Sequence, residues 1–513
     1  MSHRRTPLQE EKLKSVSWLK SPDAEDSFPK DFTITRESLA AFEMEITGKI
    51  VYPWSKGYND DRQEFDDLYP AYPIMIIYVV SFTDIRNSLA YAQAAQVALA
   101  IRSSGHSLAC YSVCNGIVVD LSMMTSVYVN QANNTVVTAP GVNFGDLFPA
   151  IEQYNLHIPT GDCPTVCVSG FMMGGGYGMT SRYYGMNCDS VLEVVVMLAD
   201  GKIVVANQYK NFDLYWALRG GTGGNFGVLL GITYQAYPLE LIYGVQVQWP
   251  IEASPTTAAQ VLYAIQETYL QPSAYPELGI ETVLSSDKSG NKTLFFCATW
   301  IGDLEAFNQA LKPLLSIPGY AIQSYVGKYS YVNNKVLDGT PDVPDDIMAY
   351  SRSAYISRSL SQQDWYNIAQ YFYNTAPNQY TMIDMEGYGG KINEIKEAAT
   401  AFIHRHEKVD FFVDAFFDTK TNDRKQNEEW TKALFEFMKQ YTNGESYQNY
   451  PNRDQLDFRE AYWGKYYNQL VRIKQKYDPG NFFNYQQSIG PDIIDDDKQV
   501  ILFESSPIIY ETY

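Results

Sequence analysis

Two clusters of glycine interrupt the chain between short apolar segments, Gly174-Gly175-Gly176 with Gly178 and Gly220-Gly221-Thr222-Gly223-Gly224. Glycine adopts positive φ freely and has no side chain, so such clusters let backbone N–H groups approach an anionic group. They suit an anionic dinucleotide, although tight loops also use glycine without any ligand. Neither cluster has the G-x-G-x-x-G spacing that opens a helix in a βαβ unit, so a nicotinamide dinucleotide is not indicated.

Predicted strands and helices alternate around these clusters. Residues 74–79 and 191–198 have the apolar character of buried strands, and residues 84–100 and 143–154 have helical spacing. A short strand, Ala100-Ile101, enters a turn that contains His106. This alternation predicts an α+β domain in which helices cover the sheet faces.

A second region, residues 245–445, lacks the glycine clusters. Amphipathic helices are predicted at 256–270, 304–315, 362–374 and 428–441, and apolar strands at 293–296 and 411–413. This pattern predicts a sheet with helices on one face, which would form a wall over the glycine-rich domain.

Composition narrows the class of ligand. The 513 residues carry a net charge of −20 at pH 7, which opposes binding to nucleic acid or to an anionic membrane and favours a small molecule. Six cysteines in so long a chain do not predict a disulfide scaffold, and their spacing with only five histidines does not predict a metal site. The N-terminal residues lack the apolar stretch of a secretory signal, which favours a cytoplasmic location unless a leader has been removed.

One histidine and one cysteine each lie within a glycine-marked turn. These turns are Arg102-Ser103-Ser104-Gly105-His106-Ser107 and Pro159-Thr160-Gly161-Asp162-Cys163-Pro164-Thr165-Val166. A neutral imidazole and a thiolate are both nucleophiles, and both can bond to an electron-poor isoalloxazine ring. Taken singly, each residue is more often structural, so the pair has to be judged with the surrounding motifs.

Four blocks, in order along the chain, resemble the berberine bridge enzyme-like oxidoreductases, which are flavoproteins with the vanillyl-alcohol oxidase fold. The first two are the histidine turn with Gly116 to Ser122, and the cysteine turn with Gly174 to Gly178. The third runs from Asp213 to Val228, and the fourth is Tyr477-Asp478-Pro479-Gly480-Asn481-Phe482-Phe483. Motifs of this kind are hypotheses that structural context must confirm.

The resemblance implies an α+β fold with a PCMH-type FAD-binding domain. A substrate domain, an antiparallel sheet covered by helices, would be inserted into it, and a C-terminal segment would return to the FAD domain. The expected boundaries are an N-terminal extension at 1–30, the FAD-binding domain at 31–244, the substrate domain at 245–445, the berberine-bridge-type segment at 446–495 and a tail at 496–513.

The resemblance also implies the cofactor and the residues that hold it. FAD would be bound covalently, through an 8α bond to His106 and a 6-S bond to Cys163. The other residues expected to contact it are Arg102, Ser103, Ser104, Gly105, Ser107, Gly161, Val166, Gly170, Gly174, Gly175, Gly178, Asn225, Gly227, Val228, Tyr485 and Gln487.

The expected catalytic base is Tyr450, the second tyrosine of a motif similar to the family's Tyr-x-Asn-Tyr, here Tyr447-Gln448-Asn449-Tyr450. A tyrosine can remove a hydroxyl proton when a neighbouring group accepts its own. The family position for that partner is Glu386, which could also act as the base if burial raised its pKa. Asp410 and Asp414 are alternatives, because one inserted residue would invert the face on which each lies.

Three further positions bear on the chemistry. In the family, a valine at the position of Val166 tends to accompany oxidases, which favours O2 as the electron acceptor. Ser104 and Phe171 depart from the family pattern, in which a glycine and a histidine are usual. Ser104 would crowd the pyrophosphate turn slightly, and Phe171 removes one hydrogen-bond donor near the flavin.

The function expected from these residues is an FAD-dependent oxidase acting on the CH–OH group of a small molecule. The leading substrate class is a sugar or oligosaccharide, oxidised to a lactone with formation of H2O2. The alternatives are an oxidase or oxidative cyclase of a secondary metabolite, a dehydrogenase with another acceptor, and a flavin-carrying binding protein without turnover. Retention of Tyr450, Glu386 and Val166 together argues against the last.

Overall fold

The computed structural model describes residues 14–17, 19–20, 34–66, 68–272, 274–287, 289–338, 347–418 and 423–492. The predicted C-terminal tail and most of the predicted N-terminal extension lie outside these residues. Within them, no helix combines the length and apolar character needed to cross a membrane.

The first sheet precedes the histidine turn. Its strands are β1 (Lys49–Val51), β2 (Met75–Tyr78), β3 (Leu99–Arg102) and β4 (Ile117–Asp120), in the order β1-β2-β4-β3. β4 is parallel to both β2 and β3, and β1 is antiparallel to β2. Helices α1 (Arg36–Glu45), α2 (Tyr58–Asp61) and α3 (Phe82–Ala95) belong to this part of the chain.

A second sheet follows. The next strands are β5 (Val127–Asn130), β6 (Thr135–Thr138), β7 (Leu156–His157), β8 (Val191–Met197), β9 (Ile203–Asn207), β10 (Val228–Gln235) and β11 (Tyr237–Pro238). Five of them form an antiparallel sheet in the order β5-β6-β10-β8-β9, and β7 pairs with β11. The helices here are α4 (Phe144–Glu152), α5 (Val168–Met173), α6 (Ser181–Tyr184) and α7 (Phe212–Ala217).

A third sheet of seven strands occupies the region without glycine clusters. The strands are β12 (Ile242–Pro250), β13 (Leu278–Ser286), β14 (Lys292–Trp300), β15 (Ala321–Gly327), β16 (Ile347–Ile356), β17 (Met382–Gly387) and β18 (Val409–Asp418). They are antiparallel throughout, in the order β15-β12-β14-β13-β17-β18-β16. The accompanying helices are α8 (Thr256–Tyr269), α9 (Leu304–Leu315), α10 (Tyr329–Leu337), α11 (Gln362–Thr375), α12 (Lys391–Glu394) and α13 (Arg424–Met438).

The two faces of the third sheet belong to different cores. Ile280 and Phe411 lie on one face and pack with residues of the covering helices, such as Ile265. Val283 and Phe295 lie on the other face, in a core shared with the second sheet and the C-terminal helices α14 (Phe458–Trp463) and α15 (Tyr467–Tyr477). The predicted α+β class is therefore confirmed, and the second face of the sheet is directed at the FAD-binding region.

Helix α3 differs from the predicted span of 84–100. It begins two residues earlier, where Ser81 accepts a hydrogen bond from the backbone N–H of Asp84 at 3.1 Å. It ends at Ala95 because Gln96 adopts a left-handed conformation with φ of 55°. The chain turns there and forms β3, so the predicted two-residue strand at Ala100-Ile101 extends to four residues.

Candidate active site

A cavity of about 710 Å³ lies between the glycine-marked turns and the second face of the third sheet. One wall comes from residues 103–114, 161–173 and 222–229. The opposite wall comes from β13, β17 and β18, and residues 447–453 and 483–487 of the C-terminal segment contribute the remainder. The cavity is thus built from all the blocks that carried the family resemblance.

An ion pair anchors the histidine turn. β3 ends at Arg102, which lies opposite Asp120 of β4, and its Nε donates to Asp120 Oδ2 at 2.5 Å with both side chains buried. Gly105 then takes a φ of +74°, which favours glycine. Ser104 Oγ accepts from the backbone N–H of Cys167 at 3.1 Å, so the residue that departs from the family pattern ties the histidine turn to the cysteine turn.

His106 and Cys163 are neighbours. The hydroxyl oxygen of Thr165 lies 2.8 Å from His106 Nε2 and 3.2 Å from Cys163 Sγ. Phe65 stacks on the imidazole with ring centroids 4.5 Å apart. Burial lowers the pKa of His106 to about 4, so the ring is neutral and nucleophilic at pH 7.

Most of the residues expected to contact FAD line the cavity. These are Ser103, Ser104, Gly105, His106, Ser107, Gly161, Cys163, Val166, Gly170, Gly227, Tyr485 and Gln487. Gly170 faces open space, because a Cβ there would have no protein atom within 4 Å. A glycine-lined wall next to two adjacent nucleophiles fits a flavin dinucleotide.

The other residues expected to contact FAD do not line the cavity but lie behind its glycine-rich wall and support it. Besides Arg102, they are Gly174, Gly175, Gly178, Asn225 and Val228, none of which belongs to the lining. A Cβ at Gly174 would lie 1.9 Å from Asn449 Oδ1, and one at Gly178 would lie 1.7 Å from the carbonyl oxygen of Thr160. These glycines permit close approach of protein segments, and Asn225 Nδ2 donates to the backbone of its own loop.

The tyrosine motif is bound to both glycine clusters. Tyr447 Oη accepts from the backbone N–H groups of Gly176 at 2.7 Å and Tyr177 at 3.2 Å. Asn449 Nδ2 donates to Phe171 O at 2.9 Å, and Gln448 Nε2 donates to Gly220 O at 2.9 Å. These bonds fix the backbone that presents Tyr450 to the cavity.

Tyr450 and Glu386 meet at the cavity wall. Tyr450 Oη donates to Glu386 Oε1 at 2.5 Å, and the phenol ring stacks on Phe412 with centroids 4.0 Å apart. The other carboxyl oxygen, Glu386 Oε2, is buried without a hydrogen-bond partner. This second oxygen leaves Glu386 able to bind one more proton or donor.

Burial governs the protonation of the pair. It raises the pKa of Glu386 well above its ordinary value, and the neighbouring carboxyl of Asp410 raises it further. Burial and then Glu386 raise the pKa of Tyr450 in the same way. Tyr450 is therefore a phenol rather than a phenolate at neutral pH, and its proton can leave only when a base such as Glu386 accepts it.

The regular pairing of β18 with β17 shows on which face of the sheet the two alternative acids, Asp410 and Asp414, lie. Asp410 pairs with Glu386 and Asp414 pairs with Met382, so both lie on the face of Glu386. Asp414 lines the cavity, and burial raises its pKa to about 6. Asp410 is fully buried beside Glu386 and does not reach the cavity wall.

Three cavity acids had no predicted role: Asp162, Glu281 and Asp384. Asp162 belongs to the cysteine turn, and its Oδ1 accepts from Asn333 Nδ2 at 3.0 Å. A signal for Asp384 exists in the sequence, because residues two apart on a strand share a face with Glu386. Glu281 comes into place only through pairing of β13 with β17, which the sequence does not reveal.

Comparisons with known proteins agree with this architecture. A FAD binding domain model matches residues 73–207, and a berberine and berberine-like model matches residues 446–490. The FAD-linked oxidoreductase YgaK of Bacillus subtilis, which is uncharacterised, is 26% identical over 88% of this chain and 98% of its own. The carbohydrate oxidase of Microdochium nivale is 26% identical over 90% of this chain and 96% of its own.

A solved structure shows the same fold. Physcomitrella patens BBE-like 1 superposes with a TM-score of 0.80 at 23% identity, covering 89% of this chain and 99% of that protein. The fold and the glycine-lined cavity together define an FAD-dependent oxidoreductase. The chain carries the FAD-binding and berberine-like segments of the berberine bridge enzyme-like FAD-linked oxidoreductases and is similar to such proteins along most of its length.

Proposed function

We propose that the protein is an oxidase with covalently bound FAD that oxidises the hydroxyl-bearing carbon of a sugar or oligosaccharide and yields a lactone and H2O2. When bound, FAD supplies the hydride acceptor and passes the electrons on to O2. His106 and Cys163 would hold the flavin from two positions, and a doubly attached flavin remains in an open site that admits a bulky substrate.

The observation that carries the proposal is the hydrogen bond between Tyr450 and Glu386 at the cavity wall. Tyr450 would take the proton of the substrate hydroxyl while its own proton moves along that bond to Glu386. A binding protein without turnover would have no need for a phenol and a buried carboxyl joined in this way. General acid–base groups of this kind contribute about 10²- to 10⁴-fold to a rate.

Two further features support the choice of substrate and acceptor. The relative from Microdochium nivale is named a carbohydrate oxidase, and it matches nearly the whole of this chain. Val166 belongs to the cavity wall two residues before the start of α5, at the position where family oxidases tend to have valine.

The test is mass and visible spectroscopy on the acid-denatured protein, with His106→Ala and Cys163→Ala beside the wild type. We expect the wild type to keep its yellow colour and the added mass of one FAD, and each variant to keep a single bond to the flavin. A panel of mono- and oligosaccharides is then assayed for H2O2 formation and for bleaching of the flavin without air.

The outcomes separate the parts of the proposal. A denatured protein that loses both colour and mass refutes covalent attachment. Fast bleaching by a sugar followed by slow reoxidation in air identifies a dehydrogenase. A flavin that no sugar bleaches refutes the substrate class.

A further inference from the structure

The wall of the third sheet that faces the cavity is unusually acidic. Its carboxyls come from Glu281 of β13, from Asp384 and Glu386 of β17, and from Asp414 of β18. Asp162 adds a fifth carboxyl from the cysteine turn. Each carboxyl is buried or half-buried, so the wall presents acids to a confined space rather than to open solvent.

Strand register brings these groups together. Glu281 pairs directly with Glu386, and Asp384 lies two residues from Glu386 on the same face. Directly opposite residues have Cβ atoms about 5 Å apart, and residues two apart on one strand are separated by about 7 Å. Glu281 and Asp384 therefore form a group beside the Tyr450–Glu386 pair rather than within it.

No cation of the protein neutralises the group. Among the residues that the structure describes, none of the five carboxyls is within 4.0 Å of a lysine or arginine nitrogen. Arg453 is the basic side chain of the lining other than His106, and its Nε donates instead to the carbonyl oxygen of Ala109 at 2.8 Å. A carboxylate buried without a counter-charge is costly, and a cation bound beside these acids would offset that cost.

Unused hydrogen-bonding capacity points to the ligand. Glu281 is only 6% exposed, and its Oε2 has no hydrogen-bond partner. Asp384 Oδ1 is also buried without a partner. The two carboxyls hydrogen-bond to each other, so one oxygen of each remains unused. Acceptors that the protein leaves unpaired at a ligand cavity are satisfied by donors of the ligand, and several acids together select a donor that carries positive charge.

We propose that Glu281, Asp384 and Asp162 form a subsite for a protonated amine, and that the natural substrate is an amino sugar or a comparable hydroxylated amine. The inference rests on the proposed function, because it places the oxidised hydroxyl at Tyr450. The ammonium group would lie against Glu281 and Asp384, which are about 5 Å and about 7 Å from Glu386 along the sheet, and so to one side of that hydroxyl. In a disaccharide, this places the amine on the sugar unit next to the oxidised one.

The test uses three β-1,4-linked disaccharides that differ only at position 2: those of glucosamine, N-acetylglucosamine and glucose. Titration calorimetry on the flavin-loaded enzyme at pH 7 without air gives the dissociation constant of each, and flavin bleaching in the same samples reports turnover. We expect the glucosamine disaccharide to bind at least about tenfold more tightly than the glucose disaccharide. The neutral N-acetyl disaccharide controls for bulk at position 2.

Isosteric variants show whether Glu281 and Asp384 cause the preference for the amine. Glu281→Gln and Asp384→Asn should each remove most of the preference for the amine and change binding of the glucose disaccharide by less than about threefold. Glu407→Gln is the matched control, because Glu407 is a buried acid outside the cavity lining. Thermal unfolding shows whether each variant is folded.

Each outcome decides the proposal. Equal binding of the three disaccharides, weaker binding of the amine, or a preference that survives in both variants overturns the subsite. If the sugars reduce the flavin without any preference for the amine, the subsite fails and the sugar oxidase stands. If the amine binds preferentially but no sugar reduces the flavin, the subsite stands and the proposed reaction fails.

Discussion

Glu386 lies directly opposite Asp410 in the antiparallel pairing of β17 with β18, so the acid that accepts from Tyr450 is adjacent to a second buried acid. Two carboxyls in one apolar environment do not both ionise readily, because each negative charge opposes the other. The carboxyl that faces the cavity therefore keeps its proton to a higher pH than an exposed glutamate would. This relationship controls how the proposed proton transfer depends on pH.

We expect Tyr450→Phe and Glu386→Gln each to slow flavin reduction by about 10²- to 10⁴-fold, because each removes one member of the proton-transfer pair. Neither side chain is one of the proposed attachment points, His106 and Cys163, so the visible spectrum and the mass of the proposed covalent FAD should be unchanged. The measurement is the rate of flavin bleaching under anaerobic conditions with saturating sugar. A near-normal rate of flavin reduction in the Tyr450→Phe variant would show that Glu386 alone acts as the base.

The pH profile of kcat/KM should have an acidic limb set by Glu386. The base form is the carboxylate, and burial together with Asp410 raises its pKa, so activity falls as the pH drops through that raised value. Asp410→Asn removes the nearest like charge and lowers the pKa of Glu386, which moves the limb to lower pH. Steady-state oxygen consumption between about pH 5 and 9 measures the shift.

If the acidic limb of the pH profile stays at the same pH in the Asp410→Asn variant, burial alone sets the pKa of Glu386. Asp414→Asn provides the comparison, because Asp414 lies on the same face but pairs with Met382 rather than with Glu386. Its replacement should shift the limb less.

The sequence predicted those parts of the fold that depend on local signals. Helix α9 occurs at the limits predicted from the helical spacing of its apolar residues, and in the structure Asp303 caps its first turn. The family motif predicted Tyr450 as the base and left its partner open among Glu386, Asp410 and Asp414, and the structure joins Tyr450 to Glu386. The end of α3 was missed, because a left-handed Gln96 has no clear sequence signal.

The rest depends on long-range register. Glu281 reaches Glu386 through the pairing of β13 with β17, and nothing near either residue encodes that alignment. For a similar reason, the sequence could not distinguish glycines that face a ligand from glycines that face another protein segment. A glycine that frees space for a ligand, such as Gly170, and one that frees space for a distant side chain, such as Gly174 against Asn449, look alike in the sequence.

Gly170→Ala and Gly174→Ala should therefore behave differently. A methyl group at Gly174 would overlap Asn449 and displace the backbone that carries Tyr450, and such overpacking costs about 1–3 kcal/mol. The methyl group at Gly170 meets no protein atom, so that variant should unfold with wild-type stability but bind less flavin. Denaturant unfolding and the ratio of flavin absorbance to protein absorbance distinguish the two effects. Equal loss of stability in both variants would contradict the assignment of Gly170 to the cavity.

The ion pair between Arg102 and Asp120 provides the last prediction. Both side chains are almost fully buried, and Arg102 Nε donates to Asp120 Oδ2 at 2.5 Å. Arg102→Ala would leave Asp120 as a buried acid without its partner, which costs about 3–5 kcal/mol of unfolding free energy. Replacing both residues by apolar side chains should cost much less than the single change, because no charge is then left unpaired. Urea unfolding of both single variants and the double variant gives the coupling energy. Additive single effects would show that the pair acts through packing alone, and that the histidine turn does not depend on its charge.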